Sequence, residues 1–546
     1  MSQKPSSFCA MCTSSCAFEL IGLLLSLSIY HRNEEIYILC DSKTKQIIER
    51  MTPTPKLTIK WFVELDEYDG MNRQMMEQKG LFGVFLKNKM KIIDYALNEK
   101  SDTLFMDSDI IITDIINDID ISKEVGLSPQ FIRKMYLDKT GFYNAGLLWT
   151  NSKSVTRNWL EMIDNNNHCP EQINMHKLRK FNYFEFGENY NLQCWRFLLS
   201  NESSEQIANH ITSSPNNKLY YKDKPLKFIH THFLDNRFYK FNSIIIEHLK
   251  RARNYKLLSI IFRVIHNKWI LKIPKQPMIG LGHHKNDSYR ELAELIKKNN
   301  SDVDVETSPN TIHCWLEPSI ITYDRPTLEW CNNEIKNCTL LLLGNGNIKN
   351  EGKELMKRYN HLNVKPWIFW PRRPQLVEKL LEEYPILSYD KREIESIFIG
   401  NFENRVQEKY RNNQLWENVL SEYHCTKGQQ HKFSHEEYLM KLRNSKYGLC
   451  LRGYGSKCHR EVELMAFGTI PIVTEEVSIS SYMDPPIENV HYICVKNTQE
   501  FKEKLEKMNE KKWKIMSKLC YEWYQRNIHS KTCWKHMIEH ILYDEK

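Results

Sequence analysis

Leu104-Phe-Met-Asp107-Ser108-Asp109-Ile-Ile-Ile112 is the stretch of this chain that decides its fold. Two carboxylates one residue apart interrupt an apolar run that ends in three isoleucines, and such a run predicts a buried strand. Unpaired carboxylates are costly inside a protein, so we expect the strand to end here and present both groups to a bound cation. Alternate residues of an extended chain share a face, which brings Asp107 and Asp109 to one site and turns Ser108 away.

The length and composition describe a multidomain globular protein. A chain of 546 residues predicts roughly two to four domains of about 150 residues each. The net charge of +8 is modest for this length and gives no argument for nucleic acid as a partner. The fifteen cysteines are an odd number without paired spacing, which predicts free thiols in a reducing compartment rather than a disulfide framework.

The apolar run Phe18–Ile29 raises the question of a membrane anchor. It is short, contains Glu19, and has only Lys4 as a positive charge before it, so it fits neither a membrane span nor a secretory signal. We therefore expect a cytoplasmic protein with no signal peptide or transmembrane helix. Frequent Asn, Ile and Lys indicate an AT-rich genome, and our hypothesis for the source is a large DNA virus or a protist. For a virus, the location would be the host cytoplasm or a viral factory.

Strands and helices alternate along the first fifty residues. Ser7–Cys12 and Glu35–Cys40 are predicted strands, and a predicted helix follows each of them. This alternation predicts an α/β domain with a mostly parallel sheet, whose ligands lie at the carboxyl ends of the strands. Thr13 and Asp41 fall at that edge as nucleotide-binding candidates, although roles as cap and turn residues are equally compatible with their positions.

Three lysines lie on the long helix predicted over Gly80–Asn98, namely Lys87, Lys89 and Lys91. Lys89 is our candidate for contact with a diphosphate, because an ammonium group pairs well with phosphate oxygens. A solvated helical face explains the same three residues.

A second motif follows the acidic pair, in the segment Gly141–Asn151. It contains Asn144-Ala145-Gly146, where small residues allow close approach of a ligand and an amide can bond sugar hydroxyls as donor and acceptor. The acidic pair and this segment, in this order, resemble the Asp-x-Asp and Asn-Ala-Gly motifs of GT-A glycosyltransferases. The resemblance implies a Rossmann-like fold, a UDP- or GDP-sugar donor, and donor contacts from Ser108 and Gly146.

Two later motifs extend the resemblance to glycogenin-like transferases. Glu171-Gln172 is similar to their Asp-Gln element, with Glu in place of Asp, and this implies catalytic roles for both residues and for Asn144. His230 and His232 lie where the family has a metal-binding histidine, and His230 directly follows apolar strand residues. Because imidazole suits Mn²⁺ better than Mg²⁺, we expect Mn²⁺, with Mg²⁺ as the alternative.

The segment 241–276 is rich in lysine and arginine and has a single acidic residue, Glu247. Its apolar and basic residues alternate in a way that predicts amphipathic helix. Such a helix can lie on an anionic membrane surface as a peripheral contact, or it can pack on the domain before it, which we favour.

The second half carries a different signature, in Ser445–Val473. A strand, a glycine-rich turn, a helix and a second strand form an anion cradle, in which turn amides and Arg460 can bind a diphosphate and Glu463 can hold ribose hydroxyls. This passage resembles exostosin-like GT-B glycosyltransferases, whose sites need no metal. The further donor-binding candidates of this half are Arg405, Gly453, Gly455 and Ser456.

These observations favour a bifunctional glycosyltransferase acting on a glycan or glycoprotein. The predicted domains are a GT-A domain over 1–240, a connector over 241–276, and a GT-B domain over 277–546 with Rossmann-like subdomains of about 277–390 and 391–546. The resemblances imply retention of configuration in the first domain and inversion in the second. The candidates for the base that inversion needs are His283, His284 and Glu461. One alternative makes one half a silent glycan-binding module, and another makes the first half a metal-dependent phosphohydrolase.

Overall fold

The structure, a computed structural model, describes residues 2–163, 169–274, 288–308, 340–343, 363–366, 370–402, 405–412, 414–428, 432–453, 458–477, 479 and 482–543. The chain divides into two compact units, whose main parts are Met1–Trp269 and Ile270–Asp544. The domain boundaries expected from the sequence, at 240 and 276, stay predictions.

The strands of the first unit are short and follow one another closely along the chain. In the described residues they are β1 (Ser2–Gln3), β2 (Phe8–Cys12), β3 (Glu35–Cys40), β4 (Thr58–Val63), β5 (Thr103–Met106), β6 (Ile110–Ile112), β7 (Ile119–Asp120), β8 (Val125–Pro129), β9 (Tyr143–Thr150), β10 (Tyr183–Glu185), β11 (Asn191–Gln193), β12 (Ile211–Ser214), β13 (Lys218–Tyr221), β14 (Lys224–Pro225) and β15 (Phe228–His230).

The main sheet of this unit has seven strands in the order β10-β8-β9-β5-β2-β3-β4. Only β9 runs antiparallel to its neighbours, β5 and β8, and the other pairings are parallel. A smaller sheet has the order β11-β15-β6, in which β11 is parallel and β6 antiparallel to β15. The predicted α/β fold with a mostly parallel sheet is therefore confirmed.

Helices cover the main sheet. In the described residues of this unit they are α1 (Ala17–Tyr30), α2 (Ser42–Glu49), α3 (Arg73–Gln78), α4 (Phe82–Leu86), α5 (Asn88–Glu99), α6 (Lys134–Thr140), α7 (Lys153–Glu161), α8 (Cys194–Leu199), α9 (Ser204–His210), α10 (Tyr239–Ala252) and α11 (Tyr255–His266). Helix α5 packs on β2, β3 and β5, and its Ile92 and Ile93 share a buried cluster with Cys9, Met11 and Phe105.

The prediction of one long helix over Gly80–Asn98 was wrong in two respects. Gly80 has a φ of +69°, so the helical region begins only at Phe82. It is then interrupted at Lys87, where the amides of Lys87 and Met90 bond to carbonyls three residues earlier instead of four.

The apolar run near the amino terminus forms α1, which packs against β6 and α11. The contact is close, because a Cβ atom on Gly22 would lie 2.7 Å from Ile111 and 2.9 Å from Val264. Val264 belongs to α11, so this helix of the basic segment packs on the first unit, as we favoured from the sequence. Among the described helices, none combines the length and the apolar character that a membrane crossing needs.

The second unit contains a five-stranded, wholly parallel sheet in its described part. Its strands, in the order β21-β20-β22-β23-β24, are preceded in the chain by four others. The full list is β16 (Trp269–Pro274), β17 (Val303–Ser308), β18 (Leu340–Leu343), β19 (Asn363–Pro366), β20 (Ile394–Phe402), β21 (Glu422–Lys427), β22 (Ser445–Cys450), β23 (Ile470–Thr474) and β24 (Ile493–Val495).

The described helices of this unit lie between those strands and after the last of them. They are α12 (Ser288–Asn299), α13 (Pro374–Glu383), α14 (Arg405–Arg411), α15 (Gln414–Glu417), α16 (His435–Arg443), α17 (His459–Ala466), α18 (Thr498–Glu506), α19 (Glu510–Asn527) and α20 (Cys533–Tyr543). The helix α17 connects β22 to β23, and Gly448 lets it pack closely, since a Cβ atom there would lie 2.3 Å from Leu464. The strand, helix and second strand expected over Ser445–Val473 are therefore present, while residues 454–457 of the expected turn lie outside the described residues.

Candidate metal site

The acidic pair lies where β5 ends and before β6 begins. The Asp107 amide donates to the Gly146 carbonyl at 2.9 Å, and the Ile110 amide donates to the Asp107 carbonyl at 3.3 Å, which turns the chain out of the strand. Asp107 is the more accessible member, with 29% of its side chain exposed against 8% for Asp109. The strand therefore ends at the carboxylates, as its sequence requires, and does not bury them in its middle.

Three side chains form a group that could hold a metal ion. Single ligand atoms of Asp107, Asp109 and His230 all lie within 4.8 Å of one another. His230 is the last residue of β15 and pairs with Ile110 of β6, so the register of the smaller sheet brings the imidazole to the acidic pair. Its Nε2 lies 3.2 Å from Oδ1 of Asp109. Two carboxylates and one imidazole fit a borderline divalent cation such as Mn²⁺, because both carboxylates offset its charge and the nitrogen suits it.

His232 contacts one member of the acidic pair, Asp109. Its Nε2 lies 3.4 Å from Oδ2 of Asp109, its Nδ1 lies 3.0 Å from Oε1 of Glu19, and 40% of its side chain is exposed. Burial disfavours the charged imidazolium, but the hydrogen bond to Glu19 and the charge of Asp109 outweigh it and raise the pKa of His232 to about 9. Conversely, although burial opposes ionisation of Asp109, the imidazoles of His230 and His232 hold the pKa of that carboxyl below its usual value.

Lys89 enters the site from α5 and is buried there. Its Nζ lies 3.0 Å from Asp107 Oδ1 and 3.6 Å from Glu171 Oε1. Burial opposes its charge, yet the two carboxylates overcome this and raise the pKa of Lys89. The other carboxylate oxygen of Glu171, Oε2, is buried and has no hydrogen-bond partner in the part of the chain that the structure describes. Lys89 thus links Asp107 of the acidic pair to Glu171. Among the described residues, Oε2 of Glu171 can still accept a hydrogen bond.

The Asn-Ala-Gly segment, residues 144–146 of β9, lies directly against Asp107 of the acidic pair and His230. A Cβ atom on Gly146 would lie 2.5 Å from Asp107 Oδ2 and 2.5 Å from His230 Cε1, so only glycine fits between them. The Gly146 amide donates to Asn144 Oδ1 at 3.1 Å. Gln172 Oε1 accepts from the Ala145 amide at 3.0 Å, and its Nε2 donates to the Thr140 carbonyl. These two hydrogen bonds fix the Gln172 side chain beside the Asn-Ala-Gly segment.

Two residues that sequence reasoning missed orient the histidines. Asn191 accepts at Oδ1 from Nδ1 of His230, 3.1 Å away, while its Nδ2 donates to Asn144 and Ser128. Glu19 is the corresponding partner of His232, because its Oε1 lies 3.0 Å from Nδ1 of that histidine. Asn191 carries no signal in the sequence, whereas a lone carboxylate in the apolar run of α1 was a signal that could have been followed.

Three sequence candidates of the first unit remain, namely Thr13, Asp41 and Ser108. Asp41 is fully buried and uses both oxygens on amides, those of Ser14 and Thr44, each at 2.6 Å. It caps α2 and holds the turn after β2. Thr13 shares a hydrogen bond of 3.0 Å with Ser15, and Ser108 is buried. Nucleotide contacts by Thr13, Asp41 and Ser108 stay predictions.

In the second unit, buried arginines lie at the carboxyl ends of the strands. Arg460, the second residue of α17, donates from Nη2 to the Ile399 carbonyl at 2.6 Å, and its Nε and Nη1 are buried without a partner among the described residues. Arg411, the last residue of α14, donates to the carbonyls of Asn401 and Arg452. A Cβ atom on Gly453 would lie 2.7 Å from Nη2 of Arg411, so this glycine makes room for the guanidinium.

The carboxylates near these arginines differ from each other. Glu463 is buried and accepts from the Tyr438 hydroxyl at 2.8 Å and from the Arg372 amide at 2.9 Å, so its predicted ribose contact has to compete with both. Burial raises the pKa of Glu461 to about 7, and its Oε1 forms no hydrogen bond with the residues that the structure describes. Arg405 is exposed at the start of α14. The candidates Gly455, Ser456, His283 and His284 lie outside the described residues.

No protein-family model matches the chain, and no curated protein matches it. Among solved structures it is similar to the galactosyltransferase LgtC in complex with donor and acceptor sugar analogs, with 10% identity and a TM-score of 0.28 over 43% of this chain and 95% of that one. It is also similar to the apo structure of the bifunctional glycosyltransferase WbbM, with 11% identity and a TM-score of 0.29 over 47% of this chain and 51% of WbbM. These likenesses are too weak to indicate a function.

Proposed function

We propose that the first unit is a glycosyltransferase that uses a nucleotide-sugar donor and a divalent cation, Mn²⁺ in preference to Mg²⁺. One observation carries the proposal: ligand atoms of Asp107, Asp109 and His230 converge within 4.8 Å at the carboxyl end of a strand in a mostly parallel sheet. A cation held there supplies charge neutralisation for a diphosphate leaving group. Two carboxylates and one imidazole are too few for the multi-carboxylate sites typical of metal-dependent phosphohydrolases.

The protein's own side chains would bind and orient the sugar. The bond from the anomeric carbon to the diphosphate breaks, a bond to the acceptor oxygen forms, and the acceptor proton leaves to a basic oxygen in the site. Glu171 has one buried oxygen that accepts no hydrogen bond from any described residue, which suits it to accept from a sugar hydroxyl. Lys89 contacts both Glu171 and Asp107, and its one positive charge offsets part of their negative charge, which lowers the repulsion between these carboxylates and an arriving diphosphate.

For the second unit we propose a metal-independent transfer, which would make the protein bifunctional. The support is a pair of buried guanidinium groups, Arg411 and Arg460, of which Arg460 has two nitrogens that no described residue contacts by a hydrogen bond. Charge-assisted and bidentate bonds from such groups can hold a diphosphate without a cation. The acceptor would be a glycan or glycoprotein, and the donor a UDP- or GDP-sugar. A peripheral membrane contact through 241–276 stays a prediction.

A panel of UDP- and GDP-sugars tests the proposal on the full chain, with nucleotide diphosphate release measured in Mn²⁺, Mg²⁺ or EDTA. We expect one release activity that needs Mn²⁺ and is lost in an Asp109→Ala variant, and a second that persists in EDTA. Release that is identical in all three conditions would contradict the role of the acidic pair. Absence of the EDTA-resistant activity would favour a silent glycan-binding second unit.

A further inference from the structure

Glu19 is a carboxylate in the first turn of an otherwise apolar helix, and only 11% of its side chain is exposed. Glu19 is the third residue of α1 and not its N-cap, which is Cys16. Its Oε1 instead lies 3.0 Å from Nδ1 of His232, whose Nε2 lies 3.4 Å from Oδ2 of Asp109. A continuous chain of polar contacts therefore runs from α1 to the candidate metal site.

His230, the other histidine near Asp109, also has a hydrogen-bond partner at Nδ1, but that partner is an amide and not a carboxylate. Nδ1 of His230 lies 3.1 Å from the amide oxygen of Asn191, and its Nε2 faces Asp109. An acceptor at Nδ1 fixes the ring orientation and turns Nε2 towards the metal, which is how outer partners tune metal-binding histidines. His230 is also held by burial, whereas His232 has 40% of its side chain exposed. The orientation of His232 therefore depends far more on its hydrogen-bond partner.

We propose that Glu19 is a positioning residue of the candidate metal site, which holds His232 against Asp109 and thereby sets the affinity of the site for a divalent cation. The inference rests on the proposed function, because it takes Asp107, Asp109 and His230 as the residues that hold the cation. Glu19 acts through the imidazole of His232 and has no role of its own in the reaction. Its effect should therefore exist only while His232 is present.

The test is a double-mutant cycle on the full chain, read out as the dissociation constant for Mn²⁺ from the electron paramagnetic resonance signal of free Mn²⁺. We expect Glu19→Gln to weaken Mn²⁺ binding about 10-fold, the lower end of the effect of outer partners. His232→Ala should weaken it at least as much. In the His232→Ala background, Glu19→Gln should have no further effect. Glu247→Gln, which changes an exposed carboxylate on α10, is the matched control and should leave the constant unchanged.

Three results would overturn the inference. Unchanged Mn²⁺ affinity in Glu19→Gln would show that the contact does not matter, and a further 10-fold loss in the His232→Ala background would show that Glu19 acts independently of the histidine. Failure of the unaltered chain to bind Mn²⁺ would overturn the metal site itself, and with it this inference. The first two results leave the metal site standing, so the two failures are distinguishable. Circular dichroism of each variant checks that it is folded.

Discussion

The two units carry opposite charges at the carboxyl ends of their sheets. In the first, Asp107 and Asp109 converge with His230, and the buried Lys89 contacts both Asp107 and Glu171. In the second, Arg411 and Arg460 are buried together and the nearby Glu461 has a pKa raised towards neutrality by burial. An acidic site attracts a cation, and a basic one attracts an anion directly. In the function we propose, both serve the neutralisation of a diphosphate, and substitutions in one unit can be compared with substitutions in the other.

The largest effect is expected from Asp109→Ala. The substitution removes the carboxylate that both histidines face, so Mn²⁺-dependent donor cleavage should fall by about 100-fold or more, as for loss of a Lewis-acid contribution of several kcal/mol. Nucleotide diphosphate release with and without Mn²⁺ measures this. The release that persists in EDTA should be unchanged, and Asp138→Asn, on an exposed residue of α6, should affect neither activity. Equal loss of both activities would contradict two separate sites.

Arg460→Lys should produce the converse result in the second unit. Lysine keeps the charge but loses the planar fork, so EDTA-resistant release should fall about 10- to 100-fold while the Mn²⁺-dependent release is retained. Lys518→Ala, which removes an exposed cation of α19, is the matched control. Full retention of EDTA-resistant release in Arg460→Lys would remove this arginine from the proposal.

Gly146→Ala tests how tightly the acidic site is built. The added Cβ atom would meet Asp107 and His230 at 2.5 Å, so Mn²⁺ affinity should fall about 10-fold as the ligands are displaced, with a loss of about 1–3 kcal/mol of stability. Isothermal titration calorimetry and thermal unfolding measure the two effects. Gly70→Ala is the control, because its φ of +70° makes alanine strained while nothing lies within 4 Å of the new atom. It should lose stability and keep its Mn²⁺ affinity.

The smallest effect concerns pH and the second unit. The pKa of Glu461 is raised from 4.5 to about 7 by burial, so the folded state binds more protons than the unfolded state between these values. The contribution of this carboxyl group to the free energy of unfolding is therefore fully present below about pH 4.5 and is lost as the pH rises through 7. The free energy of unfolding should fall by about 1 kcal/mol between pH 6 and 7 for this reason. Glu461→Gln, which stays neutral, should remove this part of the loss in denaturant unfolding curves. An unaltered pH dependence would show that the carboxyl is not buried as a neutral group.

Much of the fold was predictable from local patterns. Alternating strands and helices indicated a mostly parallel sheet, and the acidic pair indicated where a strand had to end. The strand, turn and helix of the second unit were visible for the same reason, since glycines and a capping pattern act over a few residues. The long helix was mispredicted because nothing local signalled the interruption at Lys87.

The sequence by itself determined which chemistry was present: carboxylates at a strand end, small residues after them, and arginine beside glycine in the second half. Only the tertiary structure decided which partners these groups meet. His230 joins the acidic pair because β15 pairs with β6, and Glu19 reaches His232 across 213 positions of the chain. Periodicity and residue type report on neighbours along the chain, whereas such contacts depend on strand register and helix packing between distant segments.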